Sequence, residues 1–329
     1  MKTIAKSLAA GIVGVAIAST PAFAAKMHPI TGEKLADEQT FTYRVLDEHS
    51  SLDPQIVEDV TGSEISRDLF EGLVNQNPDG TLVPGVAQRW TTNANKDVYT
   101  FYLRKNAVWS NGDPVTAHDF VFAWTRLVDP KTASPYAWFG EIMSIKNGAE
   151  IIAGEKDPST LGVKALDDRT FQVSLSASLP YFPMMLTHTS TFPVPKKVVE
   201  NLGEDWTKPG NLVSNGAYML KEHVVNERMV RVRNPQYWNN DATIVDKVVS
   251  LVINDENQAF NRYLADELDK TEVPTGQFKR LKKEMPVETH SFPRLCSYYY
   301  NFNIDKAPYN DVRVRQALSY AIDRDIIVN

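Results

Sequence analysis

The sequence predicts an exported α/β protein built from interwoven domains. Three observations carry that expectation: a leader-like amino terminus, strands and helices that alternate along the chain, and no repeat, charge block or flexible linker between them. The 329 residues hold 35 Lys and Arg against 41 Asp and Glu, a net charge of −6, and 43% are hydrophobic. A chain of this length usually forms about two domains. Its mild acidity offers no footprint for a phosphate backbone, which argues against a nucleic-acid partner. The composition also excludes disorder, collagen and a multi-span membrane protein.

Lys2 and Lys6 supply a positive start, residues 8–19 are uncharged and apolar, and Ala22-Phe23-Ala24 places small residues where a signal peptidase reads them. Residues 1–24 are therefore expected to be a signal peptide cleaved after Ala24. The apolar run is about half of the roughly 20 residues a spanning helix needs. Lipid anchoring is not expected, because the only cysteine is Cys296. A soluble periplasmic protein follows as the expectation. There a single thiol is either missing its partner or buried as a small hydrophobe, and the residues leave both open.

Residues 41–45 alternate as a strand, and Ser51-Leu52-Asp53-Pro54 has turn chemistry. Ser63, with Glu64 behind it, is expected to cap a helix whose apolar face is Ile65, Leu69, Phe70 and Leu73. Asn77-Pro78-Asp79-Gly80 is a turn. Tyr99, Phe101 and Leu103 alternate as a strand, and Thr116 caps a helix bearing Phe120, Val121, Trp124 and Leu127. Further strands are expected at 171–175, through Met229, Arg231 and Arg233, and at 248–253, with helices at 181–186 and 258–264.

Catalytic signatures are absent: there is no G-x-S-x-G, H-E-x-x-H, P-loop, G-x-G-x-x-G or C-x-x-C. His28, His49, His118, His188, His223 and His290 are scattered singly, so neither a metal nor a cofactor is expected. Asp167-Asp168 reads as a solvated turn, and Cys296 has no histidine in a recognisable nucleophile arrangement.

Several runs then resemble one family. They are residues 65–73 (ISRDLFEGL), 84–87 (PGVA), 99–120 (YTFYLRKNAVWSNGDPVTAHDF), 129–136 (DPKTASPY), 209–218 (PGNLVSNGAY), 225–228 (VNER), 234–240 (NPQYWNN), 295–300 (LCSYYY), 310–318 (NDVRVRQAL) and 323–329 (DRDIIVN). Together they resemble the family 5 extracytoplasmic solute-binding proteins of peptide ABC transporters, in the oligopeptide-binding branch. The resemblance implies a bilobal periplasmic-binding-protein-like α/β fold of type II, cluster C. Its first lobe would be discontinuous, 25–71 and 196–297, around an inserted domain at 72–195. A second lobe would start at 298–329 and be largely missing, since family members are longer and the chain reads as a fragment.

The resemblance further implies a monomer that closes on oligopeptides in an interlobe cleft and delivers them to an inner-membrane ABC permease with its ATPase subunits. Glu58, Asp59 and Val60 would offer strand-like backbone contacts, and Tyr136 and Tyr299 would line the cleft. Cys296 would pair with a cysteine far downstream. The carboxylate that holds the peptide amino terminus in relatives falls beyond Asn329, so weak peptide binding by this stretch alone is expected. Dipeptides, a metal complex or another small solute are alternative ligands on this scaffold. An exported peptidase or a chaperone-like holder of unfolded chains are rivals from other classes.

Overall fold

The computed structural model describes residues 27–28, 31–292, 297 and 299–328. The expected leader and Cys296 lie outside the described residues. In chain order come β1 (Thr40–Val45), α1 (Val60–Leu69), β2 (Val74–Gln76), β3 (Leu82–Pro84), β4 (Ala87–Thr92) and β5 (Val98–Leu103). Next are α2 (Ala117–Val128), α3 (Ala137–Ile142), α4 (Gly148–Ile152), β6 (Val163–Asp167), β7 (Thr170–Ser174), α5 (Phe182–Met185) and α6 (Lys196–Leu202). The last are β8 (Tyr218–Val224), β9 (Arg228–Arg233), β10 (Lys247–Val252), α7 (Glu256–Leu264), α8 (Phe278–Glu284), α9 (Val312–Tyr320) and α10 (Arg324–Val328).

Alternation in β5 and β7 buries Tyr99, Phe101, Leu103, Phe171 and Val173 on one face of an antiparallel sheet of order β4-β5-β7-β6. Helix α2 covers that face. Its Phe120 and Trp124 rings lie 5.6 and 5.1 Å from Phe171, the latter edge-on. The helix starts where expected, because the Asp119 carboxylate accepts the Thr116 N–H at 2.8 Å and its hydroxyl at 3.0 Å. A second sheet, of order β1-β10-β9-β8, joins residues 40–45 to residues 218–252. Strand β1 runs parallel to β10 with Thr40 opposite Lys247, and the other pairs are antiparallel. The predicted turn at 77–80 closes the β2-β3 hairpin.

Helix α1 differs from expectation at its start. Asp59, not Ser63, is the cap: its carboxylate accepts the Gly62 N–H at 2.7 Å, and Ser63 already lies inside the helix. Its buried face, Ile65, Leu69 and the following Phe70, joins the core that runs through the β4-β5-β7-β6 sheet to Trp206. Two contacts tie α1 to the other sheet. Arg231 on β9, fully buried, donates to Asp68 at 2.7 Å and to the Tyr43 hydroxyl at 3.1 Å. Gly216, just before β8, donates to the Leu69 carbonyl at 2.9 Å, and a Cβ there would stand 2.6 Å from the Asp68 carbonyl oxygen. The approach therefore requires glycine.

The described residues up to Thr275 form one compact unit, and Gly276 begins a second. In the second, Leu281 of α8 is buried, Lys282 donates to the Thr289 carbonyl at 3.0 Å, and Asp311 caps α9. No helix among the described residues is long and apolar enough to cross a membrane.

Candidate ligand-binding site

The loop from β1 to α1 is held by charge at its root. Asp53 is buried and accepts the Gln55 N–H at 3.0 Å, as expected of an Asp-Pro turn. Arg126 of α2 grips it through two bonds of 2.6 and 3.2 Å and also reaches the Gln55 side chain at 2.7 Å. The Trp206 indole adds a donor to Asp53 at 3.2 Å. From the other side, Gln55 donates to the carbonyls of Ser190 and Phe192 at 3.2 and 3.0 Å.

The outer part of the loop turns on Asp59. Burial alone would raise its carboxyl, but donors from Ser50, through hydroxyl and N–H, and from Gly62 hold it below the usual carboxylate range. Asp59 has an extended backbone (φ −99°, ψ 162°). Glu58 before it is exposed, and Val60 after it is 60% exposed although it opens the helix. A Cβ on Gly62 would meet Val57 Cγ2 at 2.4 Å, so the loop packs on the helix start without room for a side chain.

Tyr136 is brought to this loop by a relay. The Ser134 hydroxyl donates to the Gln55 carbonyl at 2.5 Å and accepts the Tyr136 N–H at 3.2 Å. The half-buried Tyr136 ring lies 4.6 Å from His188 and 5.5 Å from Trp138, and Phe139 is 4.6 Å from His188 on centroids. Burial, helped by the Arg67 charge, pushes His188 down to about 4, so the imidazole is neutral. Trp138 and Phe139 share the YAWF run with Tyr136, a local aromatic signal that sequence reasoning left unused; nothing local marks His188. Arg67 has no ion-pair partner among the described residues and lines a cavity of about 390 Å³ with Phe70, Glu71, Asn75 and Tyr237. Buried Glu71, in the wall of that cavity, accepts from Tyr237, Trp238 and Asn75, each at 2.6 Å.

The structure thus assembles Glu58, Asp59, Val60 and Tyr136 around one loop. Tyr299 belongs to the second unit, where it is 70% exposed. The histidines are not all single. His49 and His223, far apart in sequence, meet at Glu48.

Comparison with known proteins agrees with this architecture. The profile of the bacterial extracellular solute-binding proteins, family 5 (Middle), matches residues 81–329. The periplasmic oligopeptide-binding protein OppA of Salmonella typhimurium is 52% identical over 326 residues, 98% of this chain and 59% of that protein. The periplasmic murein peptide-binding protein MppA of Escherichia coli is 48% identical over 298 residues, 90% of this chain and 55% of that protein. Among solved structures, Haemophilus influenzae OppA in complex with RPPGFSPFR superposes with a TM-score of 0.87 at 43% identity, covering 89% of this chain and 58% of that one. The E. coli murein tripeptide-binding protein MppA gives the same TM-score of 0.87 at 47% identity, with 89% and 57% covered. The chain thus spans a little over half the length of these relatives. With the profile matched over most of its length and the mixed α/β fold of the periplasmic binding proteins, the chain belongs to the bacterial extracellular solute-binding proteins of family 5.

Proposed function

We propose that the protein captures extended oligopeptides in the periplasm, as a monomer without chemistry of its own, and passes them to an inner-membrane ABC permease with its ATPase subunits. The backbone around Asp59 carries this reading. Because Asp59 is extended, the Glu58 carbonyl and the Val60 N–H point to one side, away from the Asp59 carbonyl, which accepts the Ser63 N–H at 3.1 Å. Among the described residues neither of these two groups has a hydrogen-bond partner. One residue of an extended peptide can satisfy both, which is strand addition at its smallest. Such bonds are blind to side-chain identity, and the ledge of Tyr136 and Trp138 offers apolar surface of no fixed shape. Relatives named as oligopeptide-binding proteins, one solved with a peptide, support the reading.

Val60→Pro tests it. Proline at the first helical position is compatible with the helix, and the extended Asp59 before it already has the backbone that proline requires. The substitution removes the N–H and little else. Calorimetric titration with short peptides is expected to show affinity at least about tenfold weaker, about 1.4 kcal/mol, with the thermal midpoint unchanged. Equal affinity would remove the strand-addition reading. Material released by acid from the purified parent is expected to be peptides by mass spectrometry. A single non-peptide solute would overturn the ligand class, and cleavage of an added peptide pool would overturn the non-catalytic assignment.

A further inference from the structure

We propose that Glu48, His49 and His223 form a binding site for a divalent transition-metal ion, with Zn²⁺ as the type case. Glu48 and His49 follow β1, and His223 lies on β8, 175 positions from Glu48. β1 and β8 are the two edge strands of the β1-β10-β9-β8 sheet, and the segment that follows β1 reaches β8. Glu48 Oε1 stands 2.6 Å from His49 Nδ1 and 3.0 Å from His223 Nε2, and the two imidazole centroids are 4.8 Å apart. One ligand atom from each residue lies within 4.8 Å of the others.

Two imidazole nitrogens and one carboxylate oxygen are the donor set of open zinc sites, with three protein ligands and a fourth position left for water or another ligand. Bonds of about 2.0–2.1 Å set tetrahedral ligand atoms about 3.3 Å apart. The 2.6 and 3.0 Å separations at Glu48 are about 0.7 and about 0.3 Å short of that, so the side chains rotate apart to make room for the ion. The second carboxylate oxygen, Oε2, accepts the Asn226 backbone N–H at 2.5 Å. That bond fixes the carboxylate plane while leaving Oε1 to the histidines, as a supporting partner does in metal sites. No Lys or Arg pairs with Glu48 among the described residues. The His49, Glu48 and His223 side chains are 8%, 23% and 19% exposed, shielded yet open enough for an ion to enter. His49 adjoins Ser50, which donates to Asp59, so the ion would sit at the base of the loop described above. The site stands whatever that loop binds.

The full chain, freed of any purification tag, is to be titrated with Zn²⁺ by calorimetry and with Co²⁺ by visible absorption. One ion per chain and tetrahedral-type Co²⁺ bands are expected. His49→Gln and His223→Gln are each expected to weaken binding at least about tenfold. His118→Gln, which alters an exposed histidine near Asp168, is expected to bind as the parent does. Zinc-induced shifts of the His49 and His223 ring resonances in the parent need no variant to fold and give an independent reading. Absence of binding by the parent, equal binding by both histidine variants, or shifts confined to other histidines would each overturn the proposal and leave the cluster as a histidine–carboxylate hydrogen-bond network.

Discussion

His188 shows how one residue can be neutral by placement. It packs against Tyr136 and Phe139, with the Arg67 charge nearby, and titrates near 4 in the fold against about 6.5 when unfolded. Between those values the unfolded chain takes up a proton that the folded chain refuses. Stability from this group is therefore complete above about pH 6.5 and falls as the pH drops toward 4, by up to about 3 kcal/mol. His49, also held low by burial, acts in the same direction. Comparing the parent with His188→Gln isolates the first effect. Urea unfolding at pH 7 and pH 4.5 is expected to show a smaller acid loss in the variant. Equal losses would move the pH dependence elsewhere.

At the scale of elements, the β1–α1 loop is placed by α2 more than by its own turn chemistry. Arg126 of α2 and Asp53 of the loop are both largely buried, with 17% and 7% of their side chains exposed. Removing one partner of such a pair leaves an uncompensated charge and costs about 3–5 kcal/mol. Arg126→Met is expected to lose about 3 kcal/mol or more in chemical denaturation. Its peptide affinity should also fall, because residues 51–60 lose their anchor. A loss below about 1 kcal/mol would show that Gln55 and Trp206 alone hold Asp53. Adding Asp53→Leu should recover part of the loss, since the buried charge then disappears with its partner.

At the scale of the whole molecule, the first unit contains the three sheets formed by the described residues and the main buried core. Residues 27–275 expressed alone are expected to unfold in a single cooperative thermal transition with native near-ultraviolet dichroism. A broad, non-cooperative loss of signal would show that this unit depends on residues beyond Thr275. The parallel β1-β10 pair closes the unit across about two hundred residues, and a chain of that connectivity folds slowly because loop closure precedes the contacts that reward it.

Alternation and capping residues sufficed to locate β1, β5, β7, β9, β10 and α2, because side-chain direction and the first free N–H groups of a helix are settled within a few residues. The 65–73 run and its companions likewise carried the family. Local pattern named Ser63 as the cap of α1, whereas the cap is Asp59, whose carboxylate is also held by Ser50, nine residues away. Alternation placed Met229 and Arg231 on one face, but not that the face is buried with a guanidinium neutralised by Asp68. Of six histidines read singly, two became a pair at Glu48, and Tyr136 gained His188 as a neighbour. Each of these outcomes depends on which strands and helices pack together. That choice minimises a free energy summed over residues far apart in the chain, which no local window contains.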